Sequence, residues 1–127
     1  ALGTVDFWTG DHKRNLVLRT NRELERGRLV CQLGVASAEH ALAAAKVVEA
    51  DVDQIDINMG CPKKFSVQGG MGAALLKNQE AAIEIVRTLA QNLSIPVSAK
   101  IRLLETQEKT VAFAKVRREA SRGNGIK

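Results

Sequence analysis

Ile55-Asp56-Ile57-Asn58-Met59-Gly60-Cys61-Pro62-Lys63-Lys64 is the stretch whose reading decides the fold. Ile55, Ile57 and Met59 alternate with Asp56 and Asn58, the period of a strand with one apolar and one polar face. Pro62, which has no backbone N–H, ends the ladder. Cys61 therefore stands at a strand's C-terminal end. In parallel α/β folds ligands bind at that end, so a cysteine there is a candidate site, the more so with two lysines and the glycine-rich Gln68-Gly69-Gly70-Met71-Gly72-Ala73-Ala74-Leu75-Leu76 after it. A lone cysteine beside a strand also serves as a small buried hydrophobe, and the local pattern admits both readings.

Working outward, Leu29-Val30-Cys31-Gln32-Leu33-Gly34 reads as an earlier strand, with Leu29, Cys31 and Leu33 on the apolar face. That orientation makes Cys31 structural. Ser37 is a good N-cap for a helix whose buried stripe is Ala41, Leu42, Ala45 and Val48, and His40 falls on its exposed first turn. Beyond the cysteine, Asn78 caps a second helix with Ala82, Ile85, Val86 and Leu89 inward. Ser94-Ile95-Pro96 stops it, and Val97-Ser98-Ala99-Lys100-Ile101-Arg102 is the third strand. Thr106 or Gln107 opens a third helix through Val111, Ala114 and Lys115 toward Ala120, ending in Gly123-Asn124-Gly125. Strand and helix alternating three times is the pattern of a parallel sheet. Gly125-Ile126 is where a further strand is expected to begin.

Residues 1–28 are an irregular lead-in or a small hairpin: Val5-Asp6-Phe7-Trp8 and Leu16-Val17-Leu18 are short apolar runs separated by a polar turn, 9–15. The charged run 19–28 reads as a solvated loop in preference to an RNA contact. The chain has 127 residues, 45% apolar and 26% charged, the composition of a folded domain. Aromatics are 3%, so aliphatic side chains build the core. A net charge of +5 suits a polyanion partner, although basic surfaces are common. Two cysteines and two histidines, without ligand spacing, suggest neither a disulfide framework nor a metal site, and a reducing compartment is expected. No apolar run approaches the roughly 18 residues of a membrane span.

With the three strands in register, Gln32, Asp56, Asn58, Lys100 and Arg102 share the face opposite the helices. Parallel strands buried on both sides read as continuous apolar runs, so this polar face lines a ligand site or is simply solvated. Gly69, Gly70 and Gly72 permit close backbone approach or positive φ, in a loop that folds over a ligand or is merely flexible. The spacing is not that of a dinucleotide fingerprint.

Asp-Ile-Asn-Met-Gly-Cys-Pro-Lys-Lys with Gly-Gly-Met-Gly-Ala-Ala-Leu-Leu downstream closely resembles the tRNA-dihydrouridine synthases, and among them the eukaryotic type that acts on position 20 of the D-loop. The resemblance spans roughly residues 5–120 and is strongest from Gln32 to Arg102. It implies a fragment of a flavin-binding (β/α)8 TIM barrel: an α/β fold of about three parallel strands with their helices, three β/α units over residues 29–122. A whole barrel needs about 250 residues. It further implies flavin mononucleotide (FMN) as cofactor, NADPH as reductant, tRNA as partner and a cytoplasmic location, with uridine reduced to 5,6-dihydrouridine.

Carried over position by position, the resemblance makes Gln32, Asn58 and Lys100 contacts of FMN or of the target base. Lys100 would stabilise an anionic reduced flavin ring, the alternative being a strand lysine that snorkels to solvent. Cys61 matches the family's proton donor to C5 of uracil, a general acid and not a nucleophile. Lys63 and Lys64 are expected to point outward toward RNA phosphate; either one close to Cys61 would favour the thiolate and impair donation. Arg102 would anchor phosphate or brace the site. The competing readings are a flavin barrel acting on free pyrimidines, such as the dihydropyrimidine and dihydroorotate dehydrogenases, and a non-catalytic RNA-binding product.

Overall fold

The computed structural model describes residues 2–9 and 15–122, with 116–122 as backbone only. Most of the polar turn expected at 9–15, the Gly123-Asn124-Gly125 helix end and the strand start at Gly125-Ile126 lie outside the described residues. Of the two readings of the first segment, the hairpin forms: β1 (Thr4–Trp8) pairs antiparallel with β2 (Leu16–Asn21). A bidentate Arg19–Asp6 pair ties the strands at 2.7 and 2.8 Å. Asn21 then caps the single-turn α1 (Arg22–Glu25) by accepting from the N–H groups of Glu23 and Leu24.

Three parallel strands follow in the order β3 (Val30–Leu33), β4 (Gln54–Met59), β5 (Val97–Ile101), with β4 central. Between β3 and β4 runs α2 (Ala38–Val48), capped by Ser37, whose hydroxyl accepts from the His40 N–H. A short 3-10 turn, Glu49–Asp51, carries the chain into β4. The stretch between β4 and β5 forms α3 (Lys64–Gln68), α4 (Ala74–Lys77) and α5 (Gln79–Asn92); Asn78 caps α5 through the Ala81 N–H. After β5 comes α6 (Gln107–Arg122). The glycine-rich segment is the turn expected of it from Gly69 to Ala73, with positive φ at Gly70 and Gly72, and it enters α4 at Ala74, where Leu75 buries against the core.

The core lies between the sheet's apolar face and the helices. Ile55, Ile57 and Met59 on β4 are fully buried, as are Ala41 and Ala45 on α2 and Ala82, Ile85 and Leu89 on α5. Each large aliphatic side chain so buried contributes about 1.5–3 kcal/mol. The α5 stripe is the one that the helical spacing predicts. On α6 the buried anchor is Phe113, whereas Val111 is exposed. Cys31 packs against this core, and burial pushes its thiol pKa up. Among the described residues no helix is long and apolar enough to cross a membrane, and no three metal-ligating side chains cluster.

Candidate functional site

The opposite face of the sheet builds the candidate site. Parallel register sets Gln32 beside Asp56 and Asp56 beside Ser98, with Asn58 beside Lys100 in the next row. Side chains on this face join in a chain of hydrogen bonds. Gln54 donates to the Ser98 hydroxyl at 2.6 Å, and Ser98 donates to one Asp56 oxygen at 2.6 Å. The other Asp56 oxygen accepts from the Gln32 amide at 2.6 Å, and Gln32 in turn accepts from Asn58 Nδ2 at 3.2 Å. Asp56 thereby orients Gln32, and Gln32 orients Asn58.

Asn58 carries this order into the cysteine loop. Its Oδ1 accepts from the N–H groups of Gly60 at 3.0 Å and Cys61 at 2.9 Å, an Asx turn that swings the chain off the strand. Arg102 Nε donates to the Gly60 carbonyl at 2.5 Å, and the Ala73 N–H to the Cys61 carbonyl at 2.9 Å. Gly72 sits so tightly behind the cysteine that a Cβ there would lie 2.6 Å from the Cys61 oxygen and 3.0 Å from its Cβ, with φ at +59°. Only glycine tolerates both. Cys61 is accordingly held from three elements: β4 through Asn58, β5 through Arg102, and the turn before α4 through Gly72.

The thiol itself is half-buried, and the Ser66 hydroxyl on α3 donates to its sulfur at 3.5 Å. That bond and then the Lys63 backbone N–H hold the Cys61 pKa below a cysteine's ordinary value, against an opposing effect of burial, with the charges of Lys63 and Arg102 adding less. Lys63 and Lys64, both expected to point outward, are exposed, and the tight turn after Pro62 also brings the Lys63 backbone N–H and, more weakly, its charge to bear on Cys61. Lys64 opens α3 and is exposed, followed by Phe65, whose side chain is 67% exposed. Lys100 is exposed on the polar face and makes no ion pair among the described residues.

The geometry thus brings Gln32, Asn58 and Cys61 into one bonded chain, with Lys63 and Arg102 against the cysteine and Lys100 in register beside Asn58. Sequence reasoning passed over Gln54, Ser98 and Ser66 as partners in this arrangement, whereas Gly72 makes the close approach at positive φ expected of it. Ser98 had a signal, since it shares the polar phase of β5 with Lys100. Ser66 had none, because its partner lies across a turn.

Comparison with known proteins follows the same residues. The family model for dihydrouridine synthase matches residues 4–123. The tRNA-dihydrouridine(20) synthase of Schizosaccharomyces pombe is 52% identical over 101 residues, 76% of this chain and 21% of that protein. Its namesake from Saccharomyces cerevisiae is 42% identical over 123 residues, 91% of this chain and 32% of that protein. The tRNA-dihydrouridine(16/17) synthase of S. cerevisiae is 39% identical over 88 residues, 69% of this chain and 21% of that protein. The chain therefore spans between a fifth and a third of the length of these relatives. Matched by that model along nearly all of its residues, the chain belongs to the dihydrouridine synthase family.

Proposed function

We propose that this chain is the part of a tRNA-dihydrouridine synthase barrel that holds the reacting base, that the reaction is the FMN-dependent, NADPH-driven reduction of uridine to 5,6-dihydrouridine, and that Cys61 is its proton donor. The observation that carries the reading is the seat of Cys61: a thiol at the C-terminal end of the central strand, fixed by Asn58 on the face that also presents Gln32 and Lys100. The names of the two relatives most identical among those above favour position 20 of the tRNA D-loop, and they favour tRNA over a free pyrimidine. Both names also carry NAD(P)+, which fits a nicotinamide reductant. A cytoplasmic location belongs to the same proposal.

The donor set fits a flavin. A reduced isoalloxazine ring is an anion edged with hydrogen-bonding groups, and this face offers one ammonium, Lys100, beside two amides already oriented by Asp56. Gln32, Asn58 and Lys100 would hold the ring, with Asn58 also within reach of the target base. Lys63, Lys64 and Arg102 would face RNA, although Arg102 Nε is already engaged in bracing the Gly60 carbonyl. Bound FMN, kept reduced by NADPH, supplies the hydride that C6 of uracil accepts.

The rest of the chemistry is this chain's own. Hydride arrival at C6 leaves negative charge delocalised from C5 onto the C4 oxygen, and C5 then needs a proton. Cys61 provides it: the S–H bond breaks, a C5–H bond forms, and the electron pair stays on sulfur. The Ser66 hydroxyl, the Lys63 N–H and two nearby cations stabilise the resulting thiolate, so the same groups that lower the pKa also make the thiol a stronger acid. Efficient donation requires the thiol form, so reoxidation should slow as pH rises through the Cys61 pKa, which lies below a cysteine's ordinary value.

The test is single-turnover kinetics in a synthase of the relatives' full length. Cys61→Ala should keep FMN, take electrons from NADPH at the parent rate, and then reoxidise on tRNA about 10²–10⁴-fold more slowly. Cys31→Ala, altering a core thiol, should leave that half-reaction alone. Reoxidation of Cys61→Ala at the parent rate would make Cys61 structural and end the proposal.

A further inference from the structure

We infer that Ser66 is a positioning residue for Cys61: from a buried seat on α3 its hydroxyl orients the sulfur and stabilises the thiolate left after proton donation. This rests on the reading of Cys61 as the proton donor.

Ser66 is 6% exposed, and it and Thr20 are the buried polar side chains among the described residues. A hydroxyl buried to that degree needs a partner, and the one it has is the Cys61 sulfur at 3.5 Å. Its backbone is fixed on both sides: the Ser66 N–H donates to the Lys63 carbonyl at 3.0 Å, and the Ser66 carbonyl accepts from the Met71 N–H at 2.8 Å. The backbone that carries the hydroxyl is thus held facing the cysteine. On the other side Gly72 lies close behind the Cys61 backbone, where a Cβ would fall 2.6 Å from the Cys61 carbonyl oxygen.

The chemistry gives the bond a purpose. As the S–H proton moves to C5, charge grows on sulfur, and a donor already aimed there stabilises that charge without reorganising. The cations that also act on this sulfur are Lys63 and Arg102, and both stand at the surface, where salt screens them. Ser66 is shielded from that screening.

The experiment uses the full-length flavoprotein and reads Cys61 alone, by mass spectrometry of its peptide after iodoacetamide alkylation across pH. Ser66→Ala should move the alkylation midpoint up by about half to one pH unit, since hydrogen bonding to the charged form is what it removes. It should also slow tRNA-driven reoxidation about tenfold while FMN content and NADPH reduction stay at parent values. Ser66→Thr, which keeps the hydroxyl, should restore both. If Ser66→Ala loses its flavin, Ser66→Thr against its isostere Ser66→Val makes the same comparison, and coincident profiles for that pair overturn the inference. An unmoved midpoint in Ser66→Ala, or an unslowed reoxidation, overturns it as well. Parent-rate reoxidation by Cys61→Ala brings down the proton-donor reading and this inference with it. A stalled Cys61→Ala beside an unaffected Ser66→Ala overturns the role of Ser66 alone.

Discussion

Gly72→Ala isolates what holds the cysteine loop in place. The new Cβ meets two separate penalties. At φ +59° an alanine is in the left-handed region, at about 1–2 kcal/mol, partly offset by the roughly 0.4–1 kcal/mol that alanine gains from a less free unfolded chain. The Cβ also lies 2.6 Å from the Cys61 carbonyl oxygen, which is backbone and is itself tied to the Ala73 N–H. Relief requires parting two hydrogen-bonded segments, an overpacking cost of about 1–3 kcal/mol. The central expectation is a loss of about 3 kcal/mol. Gly27→Ala is the control: it has φ +81° but nothing within 4 Å of its Cβ, so it carries the backbone penalty alone, about 1 kcal/mol. Urea unfolding followed by far-ultraviolet circular dichroism distinguishes them. With a slope of about 1.5 kcal/mol per molar, the midpoint should fall by about 2 M for Gly72→Ala and by less than about 1 M for Gly27→Ala. A Gly72→Ala midpoint no lower than that of Gly27→Ala would refute the close packing of Gly72 on Cys61.

Two further outcomes are expected. Glu49 accepts from Lys46 Nζ at 2.9 Å and from the Ser94 N–H and hydroxyl at 2.7 and 3.0 Å, which pulls its pKa from 4.5 down to about 2. Because the folded value lies below the unfolded one, this contribution is present above pH 4.5 and is lost as pH falls toward about 2. Glu49→Gln should thus lower the urea midpoint at neutral pH, with the gap to the parent closing across that window; a gap that stays constant would exclude the carboxylate as its source. Lys100→Met in the full-length flavoprotein should lower the flavin reduction potential and slow reduction by NADPH, because a cation favours the anionic reduced ring over the neutral oxidised one. An unchanged potential, read by dye-linked titration, would remove Lys100 from the flavin.

Local pattern was enough to determine much of this protein. The alternation of Ile55, Ile57 and Met59 with Asp56 and Asn58 marks β4 and its two faces, because side chains two apart on a strand share a face. Ser37 and Asn78 mark helix starts, since their side chains accept N–H groups that the first turn leaves unpaired. The α5 stripe follows from helical spacing, and Pro62 leaves Cys61 at the strand's end. All of these depend on neighbours no more than about four residues away.

Tertiary structure decided the partners. That Gln32 meets Asp56, 24 residues on, and Asp56 meets Ser98, 42 further, depends on which strands pair and in what register. Phe113, and not Val111, is the buried anchor of α6, which packs on α5, a choice made by that packing partner. The turns after Cys61 brought the Lys63 backbone N–H to the cysteine, aimed Ser66 at the sulfur and set Gly72 close behind the loop. Contacts of that kind form only when the chain closes on itself, so the residue that bears the chemistry was legible in one dimension, whereas the groups that tune it required three.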